Sequence, residues 1–291
     1  LKRSAQAAPQ PRPPPAALAA PARHCRSTMA PKAAAGVKRT VAKRKALQRA
    51  PKVLAAKKGR ALPKVPKLAQ GIKAVAINLA RRPDRWEKVS RSVGRQAPWL
   101  ALERLDAVDG RVAPPPLKDV TKKWSTARLA ELFFWYTTVT VPMSPGERGC
   151  CGSHIKAWRM AARGTRPLIV VEDDAVALPT FPSSLLQALK EAPRDTGMVF
   201  LSSKDRGTPK AVGKVLMEPS FVWTTVGYVI WPAAAKTLLR MLPLDMPVDN
   251  FLAWHIKQGK IRAFSMRPAG VRQANTWNVG SDVPHSDDVA H

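Results

Sequence analysis

Residues 168–174 of the chain read LIVVEDD, four apolar residues followed directly by three acids. An apolar run of this length predicts a strand buried inside a sheet. Three adjacent carboxylates repel one another unless positive charge lies near them. A divalent cation would supply that charge, because hard cations prefer oxygen ligands. On this stretch alone, a solvated acidic loop after a strand remains an open alternative.

Around this strand, predicted strands alternate with predicted helices along the chain. The other strands are expected in 72–79, 101–108, 198–201, 221–230 and 261–266, and the helices in 84–93, 152–162, 183–190, 233–241 and 248–258. Such alternation predicts an α/β domain with a mostly parallel central sheet flanked by helices. Sheets of this kind bind ligands at the carboxyl ends of their strands. The proline-rich residues 113–146 are expected to be irregular.

The N-terminal part of the chain differs sharply in composition from the rest. Residues 1–70 hold 18 of the 49 Lys and Arg, 10 of the 28 prolines and none of the 20 acids. Such a segment buries too little apolar surface to offset its ordering entropy, so it is predicted to be a disordered basic tail. The predicted folded domain is 71–285, and 286–291 are expected to be disordered. A transit peptide, a nucleic-acid-binding arm and a solvated linker all fit the tail.

The cysteine and hydropathy patterns argue against a disulfide-rich, a zinc-binding or a membrane-spanning protein. The chain has three cysteines, Cys25, Cys150 and Cys151, which do not make a disulfide framework, and no Cys/His spacing is expected to form a zinc site. No apolar run approaches the ~18 residues of a membrane span, and no secretory signal peptide is evident. The sequence leaves the compartment undetermined.

Two further stretches suit an anionic ligand. Residues 77–86, INLARRPDRW, place an asparagine at a predicted strand end and three arginines after it, and guanidinium groups bind phosphate through paired hydrogen bonds. Residues 146–154, GERGCCGSH, are expected to form a glycine-rich loop that leads into a helix N-terminus, with His154 able to donate to a phosphate or a sugar hydroxyl. A basic surface turn and a capped loop are the alternatives.

Together and in this order, these stretches resemble glycosyltransferase family 25, which includes lipooligosaccharide and procollagen galactosyltransferases. The resemblance extends over the whole predicted domain. The matching positions are 77–85 (INLARRPDR), Ala107 with Asp109 and Gly110, 146–154 (GERGCCGSH), 170–175 (VVEDDA), Tyr228 with Leu238 and Leu239, Pro247 with Asp249 and Leu252, and Ser281 with Asp282. Arg148 departs from the family pattern, which has an apolar residue there.

The resemblance implies a GT-A-like fold and an inverting transfer, usually of galactose from UDP-galactose, with Mn²⁺ (or Mg²⁺). It implies Asp174 and Glu172 as metal ligands. An inverting transfer needs a general base to deprotonate the acceptor hydroxyl, and Asp249 is the candidate; a helix N-cap is its alternative role. Donor-binding residues are expected to be Asn78, Arg82, Arg85, Asp109, His154, Glu172 and Asp173.

Three functions therefore stay open on sequence grounds. The first is a transferase with a UDP-hexose donor and a glycan, glycolipid or protein acceptor. The second is a similar transferase that uses UDP-glucose. The third is a basic nucleic-acid-associated protein whose transferase-like domain is inactive and whose tail contacts the nucleic acid.

Overall fold

The computed structural model describes residues 64–133, 136–202, 205 and 207–274. The predicted tail lies outside these ranges up to residue 63, and so do 275–285 of the predicted domain and the C-terminal segment 286–291. The described residues of the N-terminal part include a 3-10 helix at Lys67–Ala69, in which Ala69 is buried. Ordered structure therefore begins before residue 71.

The described residues alternate strands and helices, as the sequence predicts. The helices are α1 (Pro83–Gln96), α2 (Ala127–Ala130), α3 (Pro145–Arg163), α4 (Phe181–Glu191), α5 (Pro232–Arg240) and α6 (Val248–Lys257). The strands are β1 (Lys73–Asn78), β2 (Leu102–Asp106), β3 (Lys123–Ser125), β4 (Thr140–Pro142), β5 (Leu168–Glu172), β6 (Ala175–Ala177), β7 (Met198–Phe200), β8 (Lys210–Ala211), β9 (Leu216–Glu218), β10 (Gly227–Ile230), β11 (Ala263–Met266) and β12 (Val271–Gln273).

The main sheet has the strand order β2-β1-β5-β10-β7-β11-β9-β8. β1 pairs in parallel with β2 and β5, and β11 pairs in parallel with β7. β10 lies antiparallel between β5 and β7, and β9 lies antiparallel to β11 and β8. The other six strands share one direction, which confirms the predicted α/β fold with a mostly parallel central sheet.

Both faces of this sheet are covered by helices, which explains the uninterrupted apolar sequence of its central strands. On β5, Val170 packs into a cluster with Trp158 of α3, while Ile169 and Val171 pack into a second cluster with Phe181 of α4. Successive residues of a strand point to opposite faces, so one strand contributes to two core layers. The two layers fix where β5 ends and therefore where its acids begin.

The glycine-rich stretch 146–154 is helical, which corrects the expectation of a loop there. Helix α3 starts at Pro145, after the N-cap Ser144, whose side chain and that of Glu147 form a capping box. Its glycines serve helix packing: a Cβ on Gly149 would lie 2.6 Å from the carbonyl oxygen of Val108. One on Gly110 would lie 1.9 Å from that of Pro145. Glycine at both positions lets the helix touch the turn after β2.

The region predicted to be irregular contains short elements. β3 and β4 pair antiparallel, and α2 lies between them. Thr126, which is buried before α2, donates its hydroxyl to the carbonyl oxygen of Thr137 and accepts from the amide of Val139. These side-chain hydrogen bonds hold the segment in place although its strands are short. The hydrophobic periodicity of the sequence did not predict them.

Candidate active site

A cleft of about 530 Å³ opens at the carboxyl ends of β1, β2 and β5, where the sequence predicted a ligand site. Because β10 is antiparallel, the residues that precede it, including Thr225, reach the same edge. The cleft contains both charge signs. Its charged lining residues are Arg81, Arg85, Asp109, Arg111, Glu147, Glu172, Asp173, Asp174 and Asp249.

Asp173, the middle acid of the triplet, is hydrogen-bonded through both carboxylate oxygens. Asn78 Nδ2 donates to Oδ2 at 2.8 Å, and Arg85 Nη1 donates to Oδ1 at 3.0 Å. The residue is buried, and burial raises its pKa although these two donors oppose the rise. Asn78 also donates to the carbonyl oxygen of Arg82, which ties the turn after β1 to the end of β5. Asp173 and Asn78 thus join two strand ends.

Glu172 lies at the end of a buried chain of hydrogen bonds. Trp158 Nε1 donates to the hydroxyl oxygen of Tyr228 at 3.1 Å, and that hydroxyl lies 2.9 Å from His154 Nδ1. His154 Nε2 lies 3.2 Å from Glu172 Oε1, which also accepts from Thr225 at 2.6 Å. All these groups are satisfied if Tyr228 donates to Nδ1 and the Nε2 proton of a neutral imidazole points to Glu172.

The ionisation of Glu172 follows from this chain. Burial works against its charged form, but the hydrogen bonds from His154 and Thr225 outweigh it, and the pKa of Glu172 lies below its usual value. His154 is completely buried and uses both ring nitrogens within the protein. The structure therefore gives His154 the role of orienting Glu172, in contrast to the expected direct donation to a phosphate or sugar.

Asp174, the last acid of the triplet, has spare hydrogen-bonding capacity. Its Oδ2 accepts from Gln273 Nε2 at 2.9 Å, whereas its Oδ1 is buried and has no hydrogen-bond partner among the described residues. Burial, followed by the charge of Glu172, raises the pKa of Asp174 to about 6. A buried acceptor without a donor costs free energy. A cation bound beside Asp174 would remove that cost.

Of the three arginines after β1, two line the cleft and one does not, and the two that do are not the expected pair. Arg81 lines the cleft and pairs with Asp109 at 2.9 Å, which lowers the pKa of Asp109. Arg82 instead holds Asp84 through two 3.0 Å hydrogen bonds and is absent from the cleft wall. Arg85 reaches the cleft as predicted. Arg81 was missed because adjacent arginines give no sign of which one turns inward.

Asp249 lies in the first turn of α6 and lines the cleft. The N-cap of α6 is Pro247, which makes no side-chain cap, so the alternative role of Asp249 as an N-cap is not the one observed. Its Oδ1 accepts from the amide of the next residue, Asn250, at 2.9 Å. The side chain is therefore placed at the cleft by a helix start rather than by a loop.

Thr225 and Gln273 contact the acids and were not anticipated. Thr225 bonds Glu172, and Gln273 bonds Asp174 from β12, which pairs with β6 directly after the triplet. Neither residue stands in a charged or glycine-rich motif, so only the sheet topology reveals them. In the part of the chain that the structure describes, no helix has the length and apolar character to cross a membrane.

Sequence comparison with known proteins identifies relatives of this chain. Residues 72–212 match the sequence profile of glycosyltransferase family 25 (LPS biosynthesis protein). That range includes Asn78, Asp109, His154 and the acidic triplet, whereas Asp249 and Gln273 lie beyond it. The profile therefore covers the side of the cleft that β1, β5 and α3 build.

Named relatives match a longer part of the chain than the family profile does. A glycosyltransferase 25 family member of Aedes aegypti is 30% identical over 230 residues, 71% of this chain and 37% of its own length. Procollagen galactosyltransferase 1 of Danio rerio is 28% identical over 215 residues, 66% of this chain and 34% of its own length. A "probable inactive glycosyltransferase 25 family member 3" of Bos taurus is 29% identical over 215 residues, which are 66% of this chain and 35% of the relative's own length.

The chain spans about a third of the length of these relatives. The profile match and the named relatives point to the same family. On this evidence the chain belongs to glycosyltransferase family 25.

Proposed function

We propose that this domain is a metal-assisted glycosyltransferase that moves a hexose, galactose from UDP-galactose, to a hydroxyl group of a glycan, glycolipid or protein with inversion. The observation that carries the proposal is the buried Oδ1 of Asp174, which has no hydrogen-bond partner among the described residues and lies beside Glu172 in a cleft of about 530 Å³. A GT-A-type arrangement is part of the proposal, and the named galactosyltransferases among the relatives support the choice of sugar.

Glu172 and Asp174 fit a hard divalent cation, Mn²⁺ or Mg²⁺. Both offer carboxylate oxygens, the ligands such cations prefer, and Asp174 has an acceptor that the described protein groups leave unused. When bound, the cation would neutralise charge on the departing nucleoside diphosphate. Asp173 is a weaker candidate for this ligand set, because each of its oxygens already accepts one hydrogen bond, from Asn78 or from Arg85.

The positive side of the cleft suits the diphosphate of the donor. Arg81, Arg85 and Arg111 all line the wall near the turn after β1 and the turn after β2. Guanidinium groups recognise phosphate oxygens with paired donors. Asp109 orients Arg81 through their ion pair. These residues bind and position the donor without forming a covalent bond to it.

Asp249 is the proposed general base. In an inverting transfer the acceptor oxygen attacks the anomeric carbon while a carboxylate takes its proton, and the diphosphate leaves from the opposite face. Asp249 and the triplet line the same cleft from different elements, α6 and β5, which supports separate roles for them. The proton goes to Asp249 and the glycosidic bond forms as the bond to the diphosphate breaks.

A donor screen on the purified full chain tests the proposal. UDP-galactose, UDP-glucose and UDP-N-acetylglucosamine are each incubated with and without Mn²⁺, and UDP release and donor binding are measured. We expect metal-dependent binding and UDP release with UDP-galactose. The Asp174→Asn variant is the control that should lose the metal effect. Preference for UDP-glucose would overturn the sugar assignment, and failure to bind any UDP-sugar would overturn the proposal and leave a binding or inactive role.

A further inference from the structure

Cys150, His154 and Glu172 bring three different metal-binding groups together at the floor of the cleft. The Cys150 thiol, a ring nitrogen of His154 and a carboxylate oxygen of Glu172 all lie within 4.8 Å of one another. Cys150 and His154 are four residues apart on α3, so they lie on the same face of that helix. Glu172 comes from the end of β5, on a different element. Sequence spacing alone suggested no zinc site, because the third ligand is remote in the chain.

This ligand set differs from the proposed hard-cation site. Thiolate, imidazole and carboxylate together are the donors typical of Zn²⁺, whereas Mn²⁺ and Mg²⁺ prefer oxygen ligands alone. Around a tetrahedral Zn²⁺ with bonds of ~2.0–2.3 Å, donor atoms lie roughly 3.3–3.8 Å apart. The three groups lie within 4.8 Å of one another, so small side-chain rotations would bring them to this spacing.

The surroundings also supply the orientation that a metal-bound histidine needs. A ligating imidazole usually hydrogen-bonds a protein group through its second nitrogen. His154 Nδ1 lies 2.9 Å from the Tyr228 hydroxyl, which accepts from Trp158 Nε1 on its other side. With Zn²⁺ on Nε2, the proton would move to Nδ1 and point to the Tyr228 oxygen. Thr225 donates to the same Glu172 oxygen that faces His154 and so holds the third ligand.

We propose that Cys150, His154 and Glu172 form a Zn²⁺ site whose fourth position faces the cleft. Cys150 and Glu172 line the cleft, so a water molecule or an oxygen of a bound substrate can reach that position. Binding converts the Cys150 thiol to a thiolate, and the released proton goes to solvent. Because Zn²⁺ brings two positive charges and one proton leaves, the site gains one net positive charge.

The site has a consequence for catalysis that rests on the proposed function. Glu172 belongs to both ligand sets, so Zn²⁺ and the hard cation compete for it. Occupation by Zn²⁺ would withdraw Glu172 from the diphosphate and inhibit transfer. Zinc binding itself needs no turnover, so it can be tested even if the sugar, the acceptor or the transfer reaction is assigned wrongly.

Direct metal binding tests the proposal, and the neighbouring cysteine provides the control. All measurements use the full chain with Cys25→Ser, because His24 and Cys25 are adjacent in sequence and could bind zinc themselves. Zn²⁺ affinity is measured by competition with a chelator, and Co²⁺ replaces Zn²⁺ for absorption spectroscopy. Cys151→Ser is the matched control, since that thiol is buried against the carbonyl oxygen of Met246 at 3.8 Å.

We expect one Zn²⁺ per chain and a thiolate-to-cobalt charge-transfer band in the Cys25→Ser protein. Adding Cys150→Ser should remove the band and weaken Zn²⁺ binding by more than ~100-fold, beyond the 10- to 100-fold that loss of an outer-shell partner costs. Adding Cys151→Ser should change neither. Absence of the band would overturn the proposal without any further variant, and so would undiminished Zn²⁺ affinity after Cys150→Ser. Mn²⁺ binding that Zn²⁺ does not displace would overturn only the competition.

Discussion

Asp173 and Asp174 are neighbours in the chain, but they belong to two differently built sides of the site. On the anchored side, Asn78 and Arg85 use both oxygens of Asp173 and hold the ends of β1 and β5 together. On the ligand side, Asp174 has one bond from Gln273 and one buried oxygen without a partner among the described residues. The number of acids alone therefore does not identify the metal ligands. A carboxylate oxygen with unused hydrogen-bonding capacity is the better guide.

The largest expected effect comes from removing charge on the ligand side. Asp174→Asn should abolish metal-dependent activity while the fold stays intact, because the amide cannot neutralise the cation. UDP affinity measured with and without Mn²⁺ is the informative readout. If the variant keeps the full enhancement of UDP binding by Mn²⁺, Asp174 does not hold the metal and the contrast between the two sides loses its functional meaning.

The same substitution should raise the stability of the metal-free protein. The folded pKa of Asp174, about 6, lies above its ordinary value of 3.8, because burial and Glu172 disfavour the charge. A group with a raised acid pKa contributes its stability fully at low pH and loses it as pH rises through about 6. At neutral pH without metal, Asp174→Asn should therefore melt above the wild type. A lower melting temperature would show that the carboxylate is already compensated.

Asp249→Asn should separate chemistry from donor binding. A general base acts only when the acceptor proton moves, so its loss should slow transfer by roughly 100- to 10,000-fold and leave UDP-sugar affinity unchanged. The melting temperature should change little, because the isosteric amide can occupy the same first turn of α6. Normal turnover would remove Asp249 from the catalytic residues and direct the search to Glu147, which also lines the cleft.

On the anchored side the expected effect is structural. Asp173→Ala removes one partner of Arg85; the Asp173 carboxylate is only 11% exposed, and loss of a nearly buried ion pair costs roughly 3–5 kcal/mol. Asp84→Ala is the matched control, since it also removes an arginine partner but at a 47% exposed side chain, where pairs contribute at most ~1 kcal/mol. Chemical denaturation measures the free energy of unfolding of both variants against the wild type. Equal losses would contradict the distinction between anchor and surface pair.

A smaller effect tests how the two sides are linked. Tyr228→Phe deletes one hydroxyl and leaves Trp158 Nε1 and His154 Nδ1 without it, a loss of about 1–3 kcal/mol. Because His154 orients Glu172, Mn²⁺ affinity without substrates should also fall by roughly 10- to 100-fold. Unchanged Mn²⁺ affinity with reduced stability would mean that the buried chain supports the core and does not position the metal ligand.

The sequence predicted the fold well where packing follows periodicity. The apolar runs of β1 and β5 and the amphipathic helices α4, α5 and α6 lie within a few residues of their predicted ranges. Buried strands and two-faced helices carry their own pattern, because each must present apolar residues to a core layer. The position of the acids at a strand end follows from the same pattern.

What the sequence did not predict depends on contacts between distant segments. Glycines at 146 and 149 indicated a loop, yet close packing of α3 on the turn at Gly110 requires Gly149 inside a helix. The choice between Arg81 and Arg82 depends on which side chain faces inward, and Thr225 reaches Glu172 only because β10 is antiparallel. The roles proposed for Asp174 and Asp249 stay predictions.

The last described residues have a practical consequence. Gln273 and Ala274 line the cleft, so the chain passes the rim of the cleft immediately before residue 275. A group attached at Ala274 itself is therefore held next to the site. An environment-sensitive dye attached at Ala274 would therefore change its fluorescence when a ligand fills the cleft, and a fluorescence titration would measure that binding. Tags are better joined through a long flexible spacer, so that they do not compete with the donor for space.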